Sequence, residues 1–276
     1  MALMDQTLEQ LRGRTARLLD DYVGITATGN GTTTTFVDTF NVNTGTESFD
    51  GCEIRFTSGA NDGLTSRITT TTASTGTLTF TPSRTSTATS DTAELFNRRN
   101  RGFRVQDYHN AINDAIEQYQ GIAMTPVVET IATAFDVDSP TVAVPSTTLE
   151  VYLVEYLDDD SVYQEIPRAT PRGGNGWTAE PANAVLRIEG PSADAADGQT
   201  IRLHGFKRQT ALSGDSTVTA FDSTVLVYTA ATQLCLAGIS RDPKYAQMAV
   251  ILERRLAEAR NRIRMIRPPG TQRVRL

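Results

Sequence analysis

The side chains best suited to metal binding or nucleophilic catalysis are few in this chain. It contains two histidines, His109 and His204, and two cysteines, Cys52 and Cys235. Each falls within a predicted helix or strand, and none belongs to a Cys-x-x-Cys or His-x-x-x-His pattern. Zinc sites take tetrahedral ligands at such spacings. The sequence therefore predicts no metal site, and we expect both cysteines to be reduced, structural thiols.

Three further segments could carry chemistry. Residues 158–160 are consecutive aspartates, but they lack the alternating spacing and the glycine of a calcium loop, which favours a solvated turn. The glycine-rich segments 29–31 and 173–176 do not continue into a phosphate-binding or dinucleotide-binding motif, so turns are favoured there too. Trp177 either anchors a partner or plugs a local hydrophobic core. We therefore predict that the protein is not an enzyme and binds no cofactor.

Four segments repeat apolar residues at helical spacing: 5–22, 104–123, 223–238 and 243–266. The third is apolar on nearly every face, which predicts a buried helix, and it is shorter than the ~20 residues that span a bilayer. Isolated helices of these lengths are marginal in water, so we predict that the four pack as one bundle. Its predicted core residues are Leu11, Leu18, Ile112, Ile116, Leu226, Leu234, Leu252, Leu256 and Ile263.

Two stretches are rich in β-branched residues and turn signals. Segment 25–97 is dominated by threonine, and its strand-like runs at 33–37, 52–57, 64–72, 77–81 and 92–96 predict a small antiparallel barrel or sandwich. A disordered threonine-rich linker is the alternative, but the segment's many large apolar residues argue against it. Strand-like runs also occur at 127–135, 141–144, 149–157, 162–166, 185–188 and 200–206.

The predicted fold class is therefore α+β. A helical bundle domain is built from N-terminal, middle and C-terminal helices, with the small antiparallel β module inserted and a second β-rich region following. The predicted boundaries are 1–24 (helical), 25–97 (β module), 98–124 (helical), 125–215 (β-rich), 216–266 (helix pair) and 267–276 (extended tail). The chain opens on a predicted charged helix rather than a signal peptide, so we expect synthesis in a cytoplasm.

Charge is distributed unevenly along the chain. The formal net charge is −6, yet residues 251–276 hold eight arginines against only Glu253 and Glu258. Such asymmetry indicates an anionic partner near the C-terminus.

The order of parts resembles that of the head-to-tail connector (adaptor) proteins of tailed bacteriophages. The phrases that carry the resemblance are DYHNAINDAIEQY (107–119), LEVYLVEYLDDDSVYQEIPR (149–168), LRIEGPSADAADGQTIRLHGF (186–206) and RDPKYAQMAVILERRLAEARNRI (241–263). The β insert, with IRFTSGANDGLTSRITTTTASTGTLTFTP (54–82), is similar to β modules of phage structural proteins. The large threonine-rich insert departs from the shortest adaptors.

The resemblance implies a virion structural protein at the head–tail interface. It implies a ring of about twelve copies beneath the portal protein, above a tail or nozzle protein, continuing the channel for double-stranded DNA without sequence-specific contact. It implies no membrane partner, and leaves tail-fibre contact through 25–97 open. The residues expected to meet the portal are Arg264, Arg267, Pro268, Pro269, Arg273, Val274, Arg275 and Leu276. The alternative is that this tail folds back on a neighbouring subunit of the ring.

Three other classes remain alternatives. The closest is another virion component, such as a tail-completion or tail-fibre-anchoring protein. A nucleic-acid-binding protein would use the C-terminal arginines on phosphates, although the acidic remainder of the chain disfavours it. An enzyme with a β domain is the third, and no catalytic constellation supports it.

Overall fold

The computed structural model describes residues 6–42, 48–98, 102–119, 125–146, 148–169, 174–180, 184–207, 209–219, 221–266 and 274–275. The fold is mostly β, with strands in four sheets and 32% of the chain helical. The α-helices are α1 (Leu8–Leu18), α2 (Val105–Tyr119), α3 (Pro191–Ala196), α4 (Ser223–Gly238) and α5 (Lys244–Ile266), and short 3₁₀ helices cover Gly59–Asn61 and Ala73–Thr75.

The strands are β1 (Gln6–Thr7), β2 (Val23–Thr26), β3 (Thr35–Val37), β4 (Glu53–Phe56), β5 (Thr65–Thr72), β6 (Thr77–Thr81), β7 (Thr92–Phe96), β8 (Thr125–Ile131), β9 (Thr141–Ala143), β10 (Thr148–Leu157), β11 (Tyr163–Ile166), β12 (Gly176–Glu180), β13 (Val185–Glu189), β14 (Ile201–Lys207), β15 (Val218–Thr219) and β16 (Val274–Arg275).

The chain divides into two compact units. The first combines Met1–Gln118 with Ala211–Ile266, and the second combines Tyr119–Thr210 with Arg267–Leu276. The first unit thus contains the threonine-rich strands together with α1, α2, α4 and α5, and the second contains the other large sheet.

A curled six-stranded antiparallel sheet forms the β part of the first unit. Its strand order is β2-β7-β4-β5-β6-β3. The alternation of β4 explains its burial, since Ile54 and Phe56 point into the core while Glu53 and Arg55 point away. The sheet has a hydrophobic core of its own, formed by Ile25, Ala27, Phe36, Val42, Phe49, Cys52, Ile54, Phe56, Ile68, Leu78, Phe80, Ala93 and Leu95.

The helices of the first unit begin at well-defined caps. Thr7 and Gln10 form a capping box at the start of α1, and Asp222 accepts hydrogen bonds from two backbone N–H groups at the start of α4. α4 packs against both α1 and α5. β1 pairs with β15, which brings the segment before α4 beside the start of α1.

The second unit contains two sheets. One has the order β11-β10-β14-β8, with β16 pairing β10 in addition, and the other has the order β12-β13-β9. Their shared core includes Trp177, Val151, Val154, Ile201 and Leu203. The C-terminal strand β16 is antiparallel to β10, with Val274 opposite Val151 and Arg275 opposite Glu150.

The predicted fold class is wrong. The structure is not a helical bundle with a small β insert, because its strands form four sheets and most of the chain is β or irregular. The first helix is shorter than the helical spacing of residues 5–22 predicted. α1 ends at Leu18, and Asp20 adopts a left-handed backbone conformation (φ 54°). Gly24, the last residue of the predicted helical segment 1–24, instead lies inside β2, which pairs with β7.

The positions of many elements are nonetheless confirmed. The five runs predicted within 25–97 correspond to β3, β4, β5, β6 and β7, and 223–238 coincides with α4. The six predicted runs of the second β-rich stretch correspond to β8, β9, β10, β11, β13 and β14. Strands β2 and β12, the short pair β1 and β15, and helix α3 were not predicted. The predicted domain boundaries stay a prediction.

Candidate functional site

A charged cluster of the first unit surrounds Arg12, whose side chain is fully buried in α1. Its Nε donates to Oε2 of Glu94 at 3.0 Å, and its Nη1 donates to Oδ1 of Asp215 at 2.6 Å. Asp215 also accepts from Nε of Arg55 at 2.8 Å. A buried charge is tolerated only when it is paired and hydrogen-bonded. The cluster therefore joins α1, β4, β7 and the loop before β15.

His109 of α2 completes this cluster as a neutral ring. Its Nε2 lies 2.9 Å from Nη1 of Arg12, and because a guanidinium can only donate, Nε2 must accept. Burial lowers the pKa of His109 to about 4, and the nearby charges of Arg12 and Arg55 act in the same direction. The imidazole is therefore uncharged near neutral pH and is positioned as an acceptor.

Asp215 stays ionised at every ordinary pH. Burial raises its pKa, but hydrogen bonds from Arg12 and Arg55 outweigh that effect and bring the pKa to about 2. Its other side-chain neighbour at 3.9 Å is Nε2 of His109. The guanidinium groups of Arg12 and Arg55 are both already hydrogen-bonded to carboxylates. The cluster therefore serves to hold these elements together.

An acidic and partly apolar edge borders this cluster. We name it the acidic rim and define it as Glu9, Asp62, Leu64 and Val218. The backbone N–H of Glu9 donates to Asp215 O at 3.2 Å, and β1 pairs beside Val218. The carbonyl of Leu64 accepts from the backbone N–H of Phe56 at 3.0 Å, and Phe56 directly follows Arg55. Leu64 and Val218 are exposed.

The carboxylates of this region are crowded. The pKa of Glu9 is raised, first by burial and then by the charge of Glu94, with Asp215 and Asp62 adding to it and Arg12 opposing it. Glu9 therefore lies in a local excess of negative charge that the two committed arginines do not remove. A cationic group arriving from outside would relieve that excess.

A second buried carboxylate organises the segment before α2. Asp21 is 1% exposed and accepts hydrogen bonds from the backbone N–H groups of Arg98 and Phe103 and from the hydroxyl of Tyr108. Burial raises its pKa, and these hydrogen bonds lower it. The ring of Phe103 also contacts Tyr245 of α5. Asp21 thus holds the segment that precedes α2 in place, and its carboxylate is occupied by these hydrogen bonds.

The second unit carries a smaller charged group on the outer face of its large sheet. Glu155 of β10 accepts from Nε of Arg202 and from Nε2 of His204 on β14, each at 2.7 Å. The guanidinium of Arg202 lies 3.4 Å from the ring centroid of Tyr163. All three polar partners belong to neighbouring strands, so this group stabilises strand pairing.

The helix pair α4–α5 exposes apolar side chains beside arginines. α4 is buried on most faces, whereas Val250 and Ile251 of α5 are 68% and 56% exposed. Arg254 and Arg255 follow on the same outer side of the helix and are also exposed. We name this surface, Val250, Ile251, Arg254 and Arg255, the basic face.

The predicted bundle-core residues are mostly buried. Leu11, Ile112, Ile116 and Leu226 are almost completely inaccessible, Leu18 is only half-buried, and its neighbour Leu19 takes the core position instead. The remaining predicted core residues with described side chains, Leu234, Leu252 and Leu256, are buried as well. Ile263 belongs to α5, but its side chain lies outside the described part of the chain.

The predicted portal-binding residues are only partly described. Arg264 belongs to the last turns of α5, and Val274 and Arg275 form β16. The others lie outside the described residues: Arg267, Pro268, Pro269, Arg273 and Leu276.

Other candidates from the sequence have structural places. Trp177 is 1% exposed, so it is a core plug rather than an accessible anchor. Residues 158–160 form a turn in which the Asp158 carboxylate accepts from the backbone N–H groups of Asp160 and Val162. Both cysteines are buried and outside any disulfide, and burial raises the pKa of Cys235 to about 11.

No protein-family model and no curated protein matches this chain. Within the described residues, no helix is long and apolar enough to cross a membrane. In the same part of the chain, no group of three or more metal-ligating side chains is placed to hold a metal ion.

The sequence did not point to the Arg12 cluster. Arg12 and Glu94 lie 82 residues apart, and Arg12 and Asp215 lie 203 residues apart. One signal was present: Arg12 follows Leu8 and Leu11 on the apolar side of α1, where an arginine requires a buried partner.

Proposed function

We propose that this chain is a structural protein of a tailed-bacteriophage virion, an adaptor that joins the portal to the tail and continues the DNA channel. The segments on which the resemblance rests overlap regular elements of the fold. Segment 107–119 lies in α2, 149–168 covers most of β10 and all of β11, 186–206 covers α3 and most of β13 and β14, and 241–263 covers most of α5.

The observation that carries the proposal is the basic face on α5. Val250 and Ile251 are adjacent apolar side chains, each more than half exposed, and exposed apolar side chains that form a contiguous patch can mark a protein–protein contact. Arginine is also enriched at interfaces because its planar guanidinium makes several hydrogen bonds. This combination suits the lateral surface of a ring subunit.

The charge of the chain is compatible with passing DNA. Its net charge is −6, and α2 presents Asp114 and Glu117 to solvent without any lysine or arginine in the helix. Carboxylates repel phosphates, whereas lysine and arginine hold them. Acidic surfaces that line a channel would therefore let the duplex slide.

The C-terminal segment is the proposed portal contact. Its extended strand β16 pairs with β10 of the same chain, so this segment is able to bind by strand pairing. In the proposal, Arg264, Arg267, Arg273 and Arg275 meet portal carboxylates. Pro268 and Pro269 set the direction of the chain, and Val274 and Leu276 fill apolar pockets.

Purified full-length protein, mixed with portal rings of the same virus and imaged by electron microscopy, tests the proposal. We expect a collar of symmetric density on the portal. A chain that ends at Ile266 should keep its fold by circular dichroism and lose most of its portal binding. A portal that shows no added density with the full-length protein would overturn the proposal.

A specific observation also favours a lateral virion contact. Phe40 follows β3 in the threonine-rich module and is 77% exposed. A lone, highly exposed aromatic side chain can serve as an interface anchor. The second candidate is therefore a tail-completion or fibre-anchoring protein that binds through this module. Phe40→Ser should then abolish fibre or tail attachment while leaving portal binding intact.

A further inference from the structure

We propose that the basic face of one copy docks on the acidic rim of a second copy, in a head-to-tail contact. The inference rests on the proposed function, because it names the surface through which adaptor subunits would meet. The side chains of both surfaces belong to the first unit.

The basic face supplies apolar area and positive charge together. Val250 and Ile251 project from the side of α5 opposite its buried residues Tyr245, Ala249 and Leu252. Arg254 follows one turn later and forms a long ion pair with Glu258, with 3.8 Å between Nε and Oε1 of two highly exposed side chains. Such a surface pair contributes little and can be exchanged for a better partner.

The acidic rim supplies the matching properties. Leu64 and Val218 are 42% and 45% exposed. Asp62 lies two residues before Leu64, and Val218 lies opposite Thr7, two residues before Glu9. The apolar pair can cover Val250 and Ile251, while the carboxylates can pair with Arg254 and Arg255. Bidentate arginine–carboxylate pairs add both energy and geometric specificity.

The electrostatics of the rim favour a cationic partner. Glu9 lies near the carboxylates of Glu94, Asp215 and Asp62, and Arg12 is already bound to two of these. An arginine from a neighbouring copy would neutralise the remaining excess charge. Solvent would be partly excluded there, which strengthens the attraction.

The two surfaces are different patches of the same chain, so the contact is heterologous. A heterologous contact repeats from copy to copy and closes into a ring when its rotation divides a full turn. A two-fold contact of α5 with α5 would instead place like charges together. The proposed pairing is the one in which charge and apolar area both match.

Charge exchange between the surfaces provides the test. Arg254→Glu with Arg255→Glu should shift full-length protein toward monomer in sedimentation velocity, weakening self-association at least tenfold. Glu9→Arg with Asp62→Arg should do the same. An equimolar mixture of the two variants should recover assembly, since each mismatched face then meets its complement. Matched control variants are Lys207→Glu and Glu117→Arg, which reverse charges elsewhere and should assemble normally.

A cysteine pair tests the contact without reversing any charge. Leu64→Cys and Ile251→Cys are placed on separate chains, which are mixed and mildly oxidised. We expect disulfide-linked dimers only in the mixture, because the native cysteines are buried. Val128→Cys, exposed in the second unit, measures random collision. Dimers of Ile251→Cys alone would indicate two-fold packing of α5 and would overturn the inference.

The outcomes separate this inference from the proposed function. A chain that remains monomeric at all concentrations, or self-associates with unaltered affinity in both charge variants, refutes the docking of the basic face on the acidic rim. Portal binding by those variants would leave the adaptor function standing. Self-association through the two surfaces without portal binding would support the inference and count against the function.

Discussion

The guanidinium of Arg12 and the carboxylate of Glu94 are joined by two hydrogen bonds, from Nε at 3.0 Å and from Nη2 at 2.5 Å. Arg12 is completely buried and Glu94 is 5% exposed. The pair links the first helix to the last strand of the threonine-rich sheet. The pair therefore ties α1 to the threonine-rich sheet.

Arg12→Met should destabilise the first unit by about 3 kcal/mol or more, because removing one partner leaves buried carboxylates unpaired. The free energy of unfolding in urea measures the loss. Arg104→Met is the matched control, since that side chain is 70% exposed and reaches Glu53 only at 3.9 Å. We expect the control to change stability by less than about 1 kcal/mol. Equal effects of the two substitutions would contradict the role given to Arg12.

Stability should fall when the pH decreases below 6.5. The pKa of His109 is about 4 in the folded chain against an ordinary 6.5, so below 6.5 the unfolded chain binds a proton that the folded chain does not. The expected loss between pH 6.5 and pH 5 is about 1.5 kcal/mol, since one pKa unit corresponds to about 1.36 kcal/mol and the histidine of the unfolded chain is already half protonated at pH 6.5. Asp215 adds a further loss only as the pH falls from 3.8 through about 2.

His109→Gln tests the assignment of that pH dependence. The glutamine amide oxygen can still accept from Arg12 but does not titrate. Urea unfolding at pH 7 and pH 5 should then give nearly the same free energy for the variant. His204→Gln, in the other unit, is the control that should keep the wild-type difference. A wild-type slope in His109→Gln would show that another group is responsible.

Leu234→Asp should prevent folding of α4 in its native place. Leu234 is 6% exposed, and an unpaired carboxylate there has no partner to offset its loss of hydration. Leu236→Asp, two residues later in the same helix, is the control because Leu236 is 53% exposed. We expect soluble, cooperative unfolding for Leu236→Asp and aggregation or loss of helical circular dichroism for Leu234→Asp. A well-folded Leu234→Asp protein would contradict the burial of α4.

Gly76→Ala should destabilise the threonine-rich sheet more than Gly63→Ala. Both glycines have positive φ angles, +64° and +77°, so both alanines carry a left-handed penalty of about 1–2 kcal/mol. An added Cβ at Gly76 would lie 2.6 Å from Asp38 O and 2.7 Å from Thr39 Cα. At Gly63 the nearest atom is 4.0 Å away. The difference in thermal midpoint between the two variants therefore measures the clash of the added Cβ with the backbone of Asp38 and Thr39. Equal midpoints would contradict that clash.

Local signals were sufficient for many elements. The alternation of β-branched residues between turn dipeptides located β3 to β7, because a half-buried strand needs a period of two. The apolar composition of 223–238 located α4, because a helix without a polar face must be buried. The apolar spacing of residues 5–22 predicted too long a helix. Tyr22 keeps a helical spacing from Leu18, although the chain has already left the helical conformation at Asp20.

The sequence by itself determined where most strands and helices lie, that α4 is buried and that arginines concentrate toward the C-terminus. Only the tertiary structure decided that the fold is mostly β, that β2 joins the threonine-rich sheet and that Arg12 meets Glu94, Asp215 and His109. Periodicity reports which side of an element is buried, and it acts over a few residues. Which elements bury their sides against each other depends on contacts between distant segments, and no local pattern encodes them.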